Sequence, residues 1–324
     1  MTIKIVLIVL VVVLAVLLVG FLLGPRVQME TALRTVSLPR DLDGYLRDGE
    51  GRFGDIIPGT EKTIVWATEN GRKTPLSIVY LHGFSASRQE TRPMADRVAE
   101  SLGANLFYTR FTGHGRPGNA MASVTVNDWI NDAQEALEIG RRIGERVVLI
   151  GVSTGGSAAT WLAARKDADD IAALVLMSPN YGPADWRSSI LLWPWGEEIA
   201  KLMVGDEYGW EPQNEDHARF WTTRYPTRAL LSMMGVAHLG RASELERMVA
   251  PTLILYSRED RLVSWKQIER AFERMGAKRK RLERIEQTGD GSSHVLAGDI
   301  LSPDTTDEVV DRIVSFVRGE RTEE

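Results

Sequence analysis

The stretch "LIGVSTGGSAA", residues 149–159, decides the fold. An apolar run, "RVVLIGVS" (146–153), reads as a buried strand, and "SAATWLAARK" (157–166) reads as a helix. Between them stand Gly151, Ser153, Gly155 and Gly156. A serine flanked by glycines where a strand turns into a helix is the setting of G-x-S-x-G. There a strained turn exposes the hydroxyl, and the glycines leave room where a Cβ would clash. The helix that follows aims its N-terminus at the same point, which favours developing negative charge. Over these residues alone, a glycine-rich turn with a serine helix cap would look the same.

The alternation of strand and helix continues in both directions. Apolar runs occur at "TIVWAT" (63–68), "SIVYLHG" (77–83), "NLFYTRF" (105–111), "IAALVLMSP" (171–179), "PTLILYS" (251–257) and "RLERIEQT" (281–288). Amphipathic stretches lie between most of them, at 90–103, 126–144 and 264–276, and another closes the chain after Thr306. Continuous Val/Ile/Leu runs alternating with helices predict an α/β domain, a mostly parallel sheet with helices on both faces. One region departs from this pattern. From about Tyr181 to Gly240 no strand signal stands out, and five of the nine tryptophans lie there: Trp186, Trp193, Trp195, Trp210 and Trp221. It reads as a mostly helical insertion, either packed on itself or forming a cap over an apolar pocket.

A serine hydroxyl needs a base, and the base needs an orienting carboxylate. The chain has five histidines. His294, in "GDGSSHVL", directly follows the last predicted strand; Asp260, in "LILYSREDRLVS", follows the strand before it. Both would emerge at the sheet edge that carries Ser153, in the order Ser, Asp, His that this chemistry uses on such a sheet. Glu259 competes with Asp260 for the orienting role, and Asp290 lies close to His294 in sequence.

The chain resembles the α/β-hydrolase family. The likeness rests on "YLHGF" (80–84), "TGHG" (112–115), "GVSTGG" (151–156), "PTLILYSREDRLV" (251–263) and "GSSHV" (291–295), in that order over about residues 60–320. It is nearest to serine-aminopeptidase-like and monoacylglycerol-lipase-like bacterial esterases. The resemblance implies Ser153 as nucleophile, His294 as base, Asp260 as orienter, and an oxyanion hole from the backbone N–H groups of Phe84 and Thr154. It also implies that His82 and His114 shape loops and that neither is the base. His217 and His238, in or beside the insertion, read as surface or packing residues. Thr154 departs from the Met, Leu or Gln common at that position, and its branched side chain would narrow the acyl site. The interval from Asp260 to His294 is long for the family, which suggests an enlarged loop.

The N-terminus lies outside the resemblance. "IVLIVLVVVLAVLLVGFLL", Ile5 to Leu23, carries no polar side chain and is long enough for the ~30 Å hydrocarbon core. A cleaved signal peptide is the alternative, but its apolar region is normally ~7–15 residues, and "FLLGPRVQ" is a poor cleavage site. The expected organisation is a single-pass membrane anchor over 1–24, a stalk and lead-in over 25–60, and the hydrolase domain over 61–324, with the cap at about 181–240. Lys4 flanks the apolar run on one side, and Arg26, Arg34 and Arg40 on the other. This charge count leans towards a cytoplasmic domain, although so short a tail leaves the side open.

Composition narrows the function. The net charge of −5 gives no basic footprint for nucleic acid. The absence of cysteine excludes a thiol nucleophile, disulfides and cysteine-held zinc. A Ser153-centred hydrolase needs no metal or organic cofactor. The expected substrate is a carboxylic ester, lipid-like in view of the anchor and the aromatic insertion, such as a monoacylglycerol or lysophospholipid. An aminopeptidase, thioesterase or acyltransferase could use the same residues. Insertion acids that could hold a substrate ammonium are Glu197, Glu198, Asp206, Glu207, Glu211, Glu215 and Asp216. A dehalogenase would carry Asp where Ser153 stands. A binding protein that keeps the fold without the chemistry is the reading from another class.

Overall fold

Strand β4 (Gly144–Val152) is the middle of a seven-stranded sheet in a computed structural model that describes residues 2–69 and 71–320. The other strands are β1 (Thr63–Val65), β2 (Thr74–Leu81), β3 (Asn105–Tyr108), β5 (Ile171–Met177), β8 (Thr252–Tyr256) and β9 (Lys280–Arg284). Their order is β1-β3-β2-β4-β5-β8-β9; β1 runs antiparallel to β3, and every other pairing is parallel. All seven apolar runs read from the sequence therefore lie in one sheet.

The period of two along each strand sorts side chains into two cores. Val79, Leu81, Val147, Leu149, Leu174 and Leu176 face one way, onto α4 (Val126–Ile143), α5 (Thr154–Ala163) and α9 (Trp265–Arg274). Ile78, Tyr80, Val148, Ile150, Val175 and Met177 face the other way, onto α3 (Met94–Leu102) and α10 (Thr306–Arg318). Both faces are covered, which is why these strands are apolar on both sides. Helix α4 starts at a capping box in which Thr125 and Asp128 satisfy each other's backbone N–H groups.

The insertion holds a 3₁₀ helix over Trp186–Leu192, α6 (Gly196–Val204), α7 (Glu215–Phe220) and α8 (Ala229–Ala242). It also holds a short antiparallel ribbon, β6 (Glu207–Gly209) with β7 (Arg224–Pro226), which the sequence does not signal. Strands of three residues are too short to show a period.

At the N-terminus, α1 (Thr2–Leu22) is apolar on every side and long enough to cross a membrane, and none of its Ile3–Leu22 stretch is buried. The segment that follows packs against the domain. Val27, Leu33 and Leu38 rest on the first core, and Asn127 and Asn131 side chains donate to the Ala32 carbonyl. Helix α2 (Leu42–Glu50) buries Leu42 and Leu46 in the same core. At its end Glu50 accepts two hydrogen bonds from the Arg110 guanidinium, at 2.7 and 2.8 Å, with both side chains nearly out of contact with water.

Candidate active site

The carboxyl ends of the central strands carry the chemistry-bearing residues to one edge of the sheet, where open α/β sheets bind ligands. Ser153 follows β4 directly, with φ +51° and ψ −117°, outside the regions L-residues favour. Two backbone bonds hold it there: its N–H donates to Met177 O, and its carbonyl accepts from Asn180 N–H, each at 2.9 Å. Gly155 permits the sharp exit. A Cβ there would lie 2.2 Å from Leu81 O and 2.4 Å from His82 O, so only glycine lets the first turn of α5 approach the end of β2.

Asp260 comes from the loop after β8, and His294 from the loop after β9. His294 Nδ1 and Asp260 Oδ2 are 2.7 Å apart, with both side chains almost fully buried. The other Asp260 oxygen accepts from Leu262 and Val263 N–H at 2.8 and 2.9 Å. Burial works against the charged form of His294. Asp260, by its charge and hydrogen bond, outweighs burial with help from Asp290 and Glu90, and the imidazole pKa is raised above its ordinary value. Of the two competing carboxylates, Glu259 forms no hydrogen bond or ion pair with His294, whose carboxylate partner is Asp260. Asp290 is the frame of its loop. Its carboxylate accepts from the N–H groups of Ser292, His294 and Val295, from Ser292 Oγ and from Gln213 Nε2 of the insertion. Burial alone would raise its pKa, yet these donors pull it down to about 2.

Phe84 and Thr154 line the same cavity as Ser153 and His294. Two buried histidines fix the loop that carries Phe84. His82 Nε2 accepts from Phe111 N–H, and His114 Nε2 accepts from Ser85 N–H, each at 3.0 Å. Burial lowers the His82 pKa to about 4 and pushes His114 down as well, so both stay neutral acceptors. His217 is a packing residue: it lies between Trp210 and Trp221 and lines the cavity. His238 is half-buried beside Arg241.

The cavity has a volume of about 730 Å³. The insertion roofs it with apolar groups, among them Leu191, Met203, Val204, Trp210, Trp221 and Met233. The five tryptophans therefore divide: Trp210 and Trp221 face the cavity, whereas Trp186, Trp193 and Trp195 lie on the outside and are exposed. Of the seven insertion acids named above, only Glu211 lines the cavity; Asp185, an eighth acid of the insertion, lines it too but pairs with Arg187, while Glu197 pairs with Lys201 and Glu207 with Arg224. Sequence reasoning missed Glu90, a carboxylate 3% exposed that lines the cavity beside Gly83. A charged residue within an amphipathic stretch gives no sign of being turned inward.

A family model described as "Alpha/beta hydrolase family" matches residues 78–312. The chain is 25% identical over 261 residues to the thermostable monoacylglycerol lipase of Bacillus sp. (strain H-257), a match spanning 81% of this chain and 95% of that protein. Among solved structures, one from a study of LipS and LipT, two metagenome-derived lipolytic enzymes, superposes with a TM-score of 0.67 at 22% identity, covering 82% of this chain and all of that one. A soluble variant of monoglyceride lipase from Saccharomyces cerevisiae gives a TM-score of 0.59 at 15% identity, covering 82% of this chain and 92% of that one.

Proposed function

The chain belongs to the alpha/beta hydrolase family, is a hydrolase of the lipase and esterase type, and, we propose, cleaves lipid-like carboxylic esters through Ser153, His294 and Asp260. The observation that carries this reading is the 2.7 Å His294–Asp260 contact, with His294 and Ser153 lining one cavity. In the proposed reaction Ser153 Oγ attacks the ester carbonyl while His294 takes its proton. His294 then returns the proton to the leaving alcohol, and water resolves the acyl-enzyme by the same route. The N–H groups of Phe84 and Thr154 receive the oxyanion, and loss of one such donor typically costs ~10²–10³ in turnover.

An apolar roof favours an acyl chain over a peptide. Among the insertion acids a substrate ammonium would find Glu211, since Asp185, which also lines the cavity, is already paired with Arg187. The similarity to a monoacylglycerol lipase points the same way.

Membrane anchoring by α1 belongs to this reading, and its support is where the helix ends. Trp195 N–H donates to Pro25 O at 2.8 Å, and Trp195 Nε1 to Gly20 O at 3.1 Å, so the helix end meets the cap. Trp186, Trp193, Leu202 and Met203 are exposed on that part of the chain, and Met203 also lines the cavity. A cavity edge beside the end of a membrane helix suits a substrate drawn from a bilayer, with tryptophans at the headgroup level.

The test is hydrolysis of p-nitrophenyl esters of graded chain length by the protein lacking residues 1–24, with Ser153→Ala and His294→Ala beside it. The expected result is activity that peaks at medium or long acyl chains and is lost in both variants, with fluorophosphonate labelling lost in Ser153→Ala. Folded wild-type protein that neither hydrolyses an ester nor takes the label would overturn the reading.

A further inference from the structure

Glu90 is the buried acid that the proposed reaction leaves unused. Its carboxyl oxygen Oε1 accepts from Gly83 N–H at 2.7 Å and from Tyr80 OH at 2.9 Å. Tyr80 OH in turn accepts from Thr91 Oγ1 at 2.7 Å, so the phenol is locked in place. Among the described residues no donor reaches Oε2. A methyl group built on Gly83 would lie 2.9 Å from Glu90 Oε2 and 3.3 Å from Ser153 Cβ, so the carboxyl and the serine sit on the same side of the strand end. The peptide unit after Gly83 carries the Phe84 N–H.

We propose that Glu90 is a positioning residue for the hydrolase reaction: one oxygen pins the Gly83 amide so that the following N–H, that of Phe84, is aimed into the cavity, and the carboxyl bears electrostatically on His294. This rests on the esterase reading above.

The physical case has two parts. An oxyanion donor works only if it is held in place before charge develops, since reorganising it during the reaction would forfeit its advantage. Pinning the adjacent amide with a carboxyl locked by Tyr80 supplies that rigidity. The second part is charge. The titratable groups bearing on Glu90 are Tyr80 from β2 and His294 from the loop after β9; those bearing on His294 are Asp260, Asp290 and Glu90. Burial lifts Glu90 to about 7, against the opposing pull of Gly83 N–H, Tyr80 and His294. Glu90 and His294 line the same cavity, and each favours the charged form of the other. An ionised Glu90 favours the imidazolium that forms when His294 takes the serine proton.

The experiment compares Glu90→Ala and Glu90→Gln by kcat, KM and the pH profile of kcat/KM on a p-nitrophenyl ester that wild type hydrolyses. Glu90→Ala leaves Gly83 N–H without its acceptor, and kcat is expected to fall about 10²-fold, as for a displaced oxyanion donor, with KM changed much less. Glu90→Gln keeps an acceptor oxygen and is expected to recover most of that kcat. Because it removes the anion that bears on the imidazole, its acid limb moves to lower pH. Full kcat in folded Glu90→Ala overturns the positioning role, and an unmoved acid limb in Glu90→Gln overturns the electrostatic one. If Glu90→Ala fails to fold, Glu90→Asp takes its place: its shorter side chain withdraws the acceptor from Gly83 N–H, and full kcat in it overturns the positioning role. An inactive wild type would sink the esterase reading itself, whereas an active wild type with unaffected variants sinks only the role of Glu90.

Discussion

Asp260 divides its two oxygens between two tasks: Oδ1 takes the Leu262 and Val263 N–H groups, and Oδ2 takes His294 Nδ1. The backbone donors fix the carboxylate, so the imidazole meets an acceptor that cannot turn away. A hydrogen on Nδ1 leaves Nε2 as the basic nitrogen. Asp260→Asn keeps the size but can present an amide N–H to Nδ1 and reverse the tautomer. Turnover is expected to fall about 10⁴-fold with little change in thermal stability. Steady-state kinetics beside a melting curve checks this, and a loss below tenfold would remove Asp260 from the mechanism.

The pH dependence follows from the raised pKa of His294. In the proposed mechanism His294 acts as base only when neutral, so kcat/KM is expected to rise with pH through an apparent pKa above the ordinary histidine value and to be lost below it. Asp260 is the main stabiliser of the protonated form, so residual activity in Asp260→Asn should show its acid limb at lower pH. A limb that stays in place would mean that another group titrates.

Asp290 gives a stability prediction. Its folded pKa, about 2, is depressed below the ordinary carboxylate value. The stabilisation is therefore fully present above about pH 4 and lost as pH falls towards 2. The shift corresponds to about 2 kcal/mol. Asp290→Asn should lower stability by about that amount at pH 7 and flatten the acid-unfolding curve between pH 4 and 2. Chemical denaturation at several pH values measures both.

The central strands were legible because they are buried on both faces: "VVLIGV" (147–152) and "IAALVLM" (171–177) are apolar throughout, whereas the edge strand β9 is only half-buried and carries Lys280, Arg281, Glu283 and Arg284. That Ser153, Asp260 and His294 would come to one edge of the sheet was legible because strand ends fix where a following loop begins. The lead-in was less so. Residues 25–60 are rich in Gly, Pro, Asp and Arg, and the cue for their attachment is only Leu42 and Leu46 one turn apart on α2. The Glu50–Arg110 pair spans 60 residues, and no local pattern announces it. Glu90 was hidden for a related reason: its acceptor role depends on where Gly83 N–H points, a property of a turn and not of a side-chain sequence.

The Glu50–Arg110 pair predicts that the lead-in is required for folding. Removing one partner of a buried pair leaves an uncompensated charge, at a typical cost of about 3–5 kcal/mol. Glu50→Ala should lower stability by that order while leaving ester chemistry intact in whatever folds. Deleting residues 1–60 should leave insoluble or unfolded protein, whereas deleting 1–24 should not. Soluble, cooperatively melting protein that begins at residue 61 would show that the segment only decorates the domain.

The apolar edge of the cap separates two routes for substrate. Leu202 is 89% and Met203 65% exposed, an expensive arrangement in water over adjacent positions of α6. If this edge rests on a bilayer, replacing Leu202 and Trp186 by serine should reduce hydrolysis of a long-chain monoacylglycerol presented in vesicles several-fold. Hydrolysis of a short, water-soluble ester should be unchanged, because neither side chain lines the cavity. Flotation of the full chain and of the chain lacking residues 1–24 with vesicles separates the contribution of α1 from that of the cap. Equal losses on both substrates would place the effect in the folding of the cap and leave its exposed face without a membrane role.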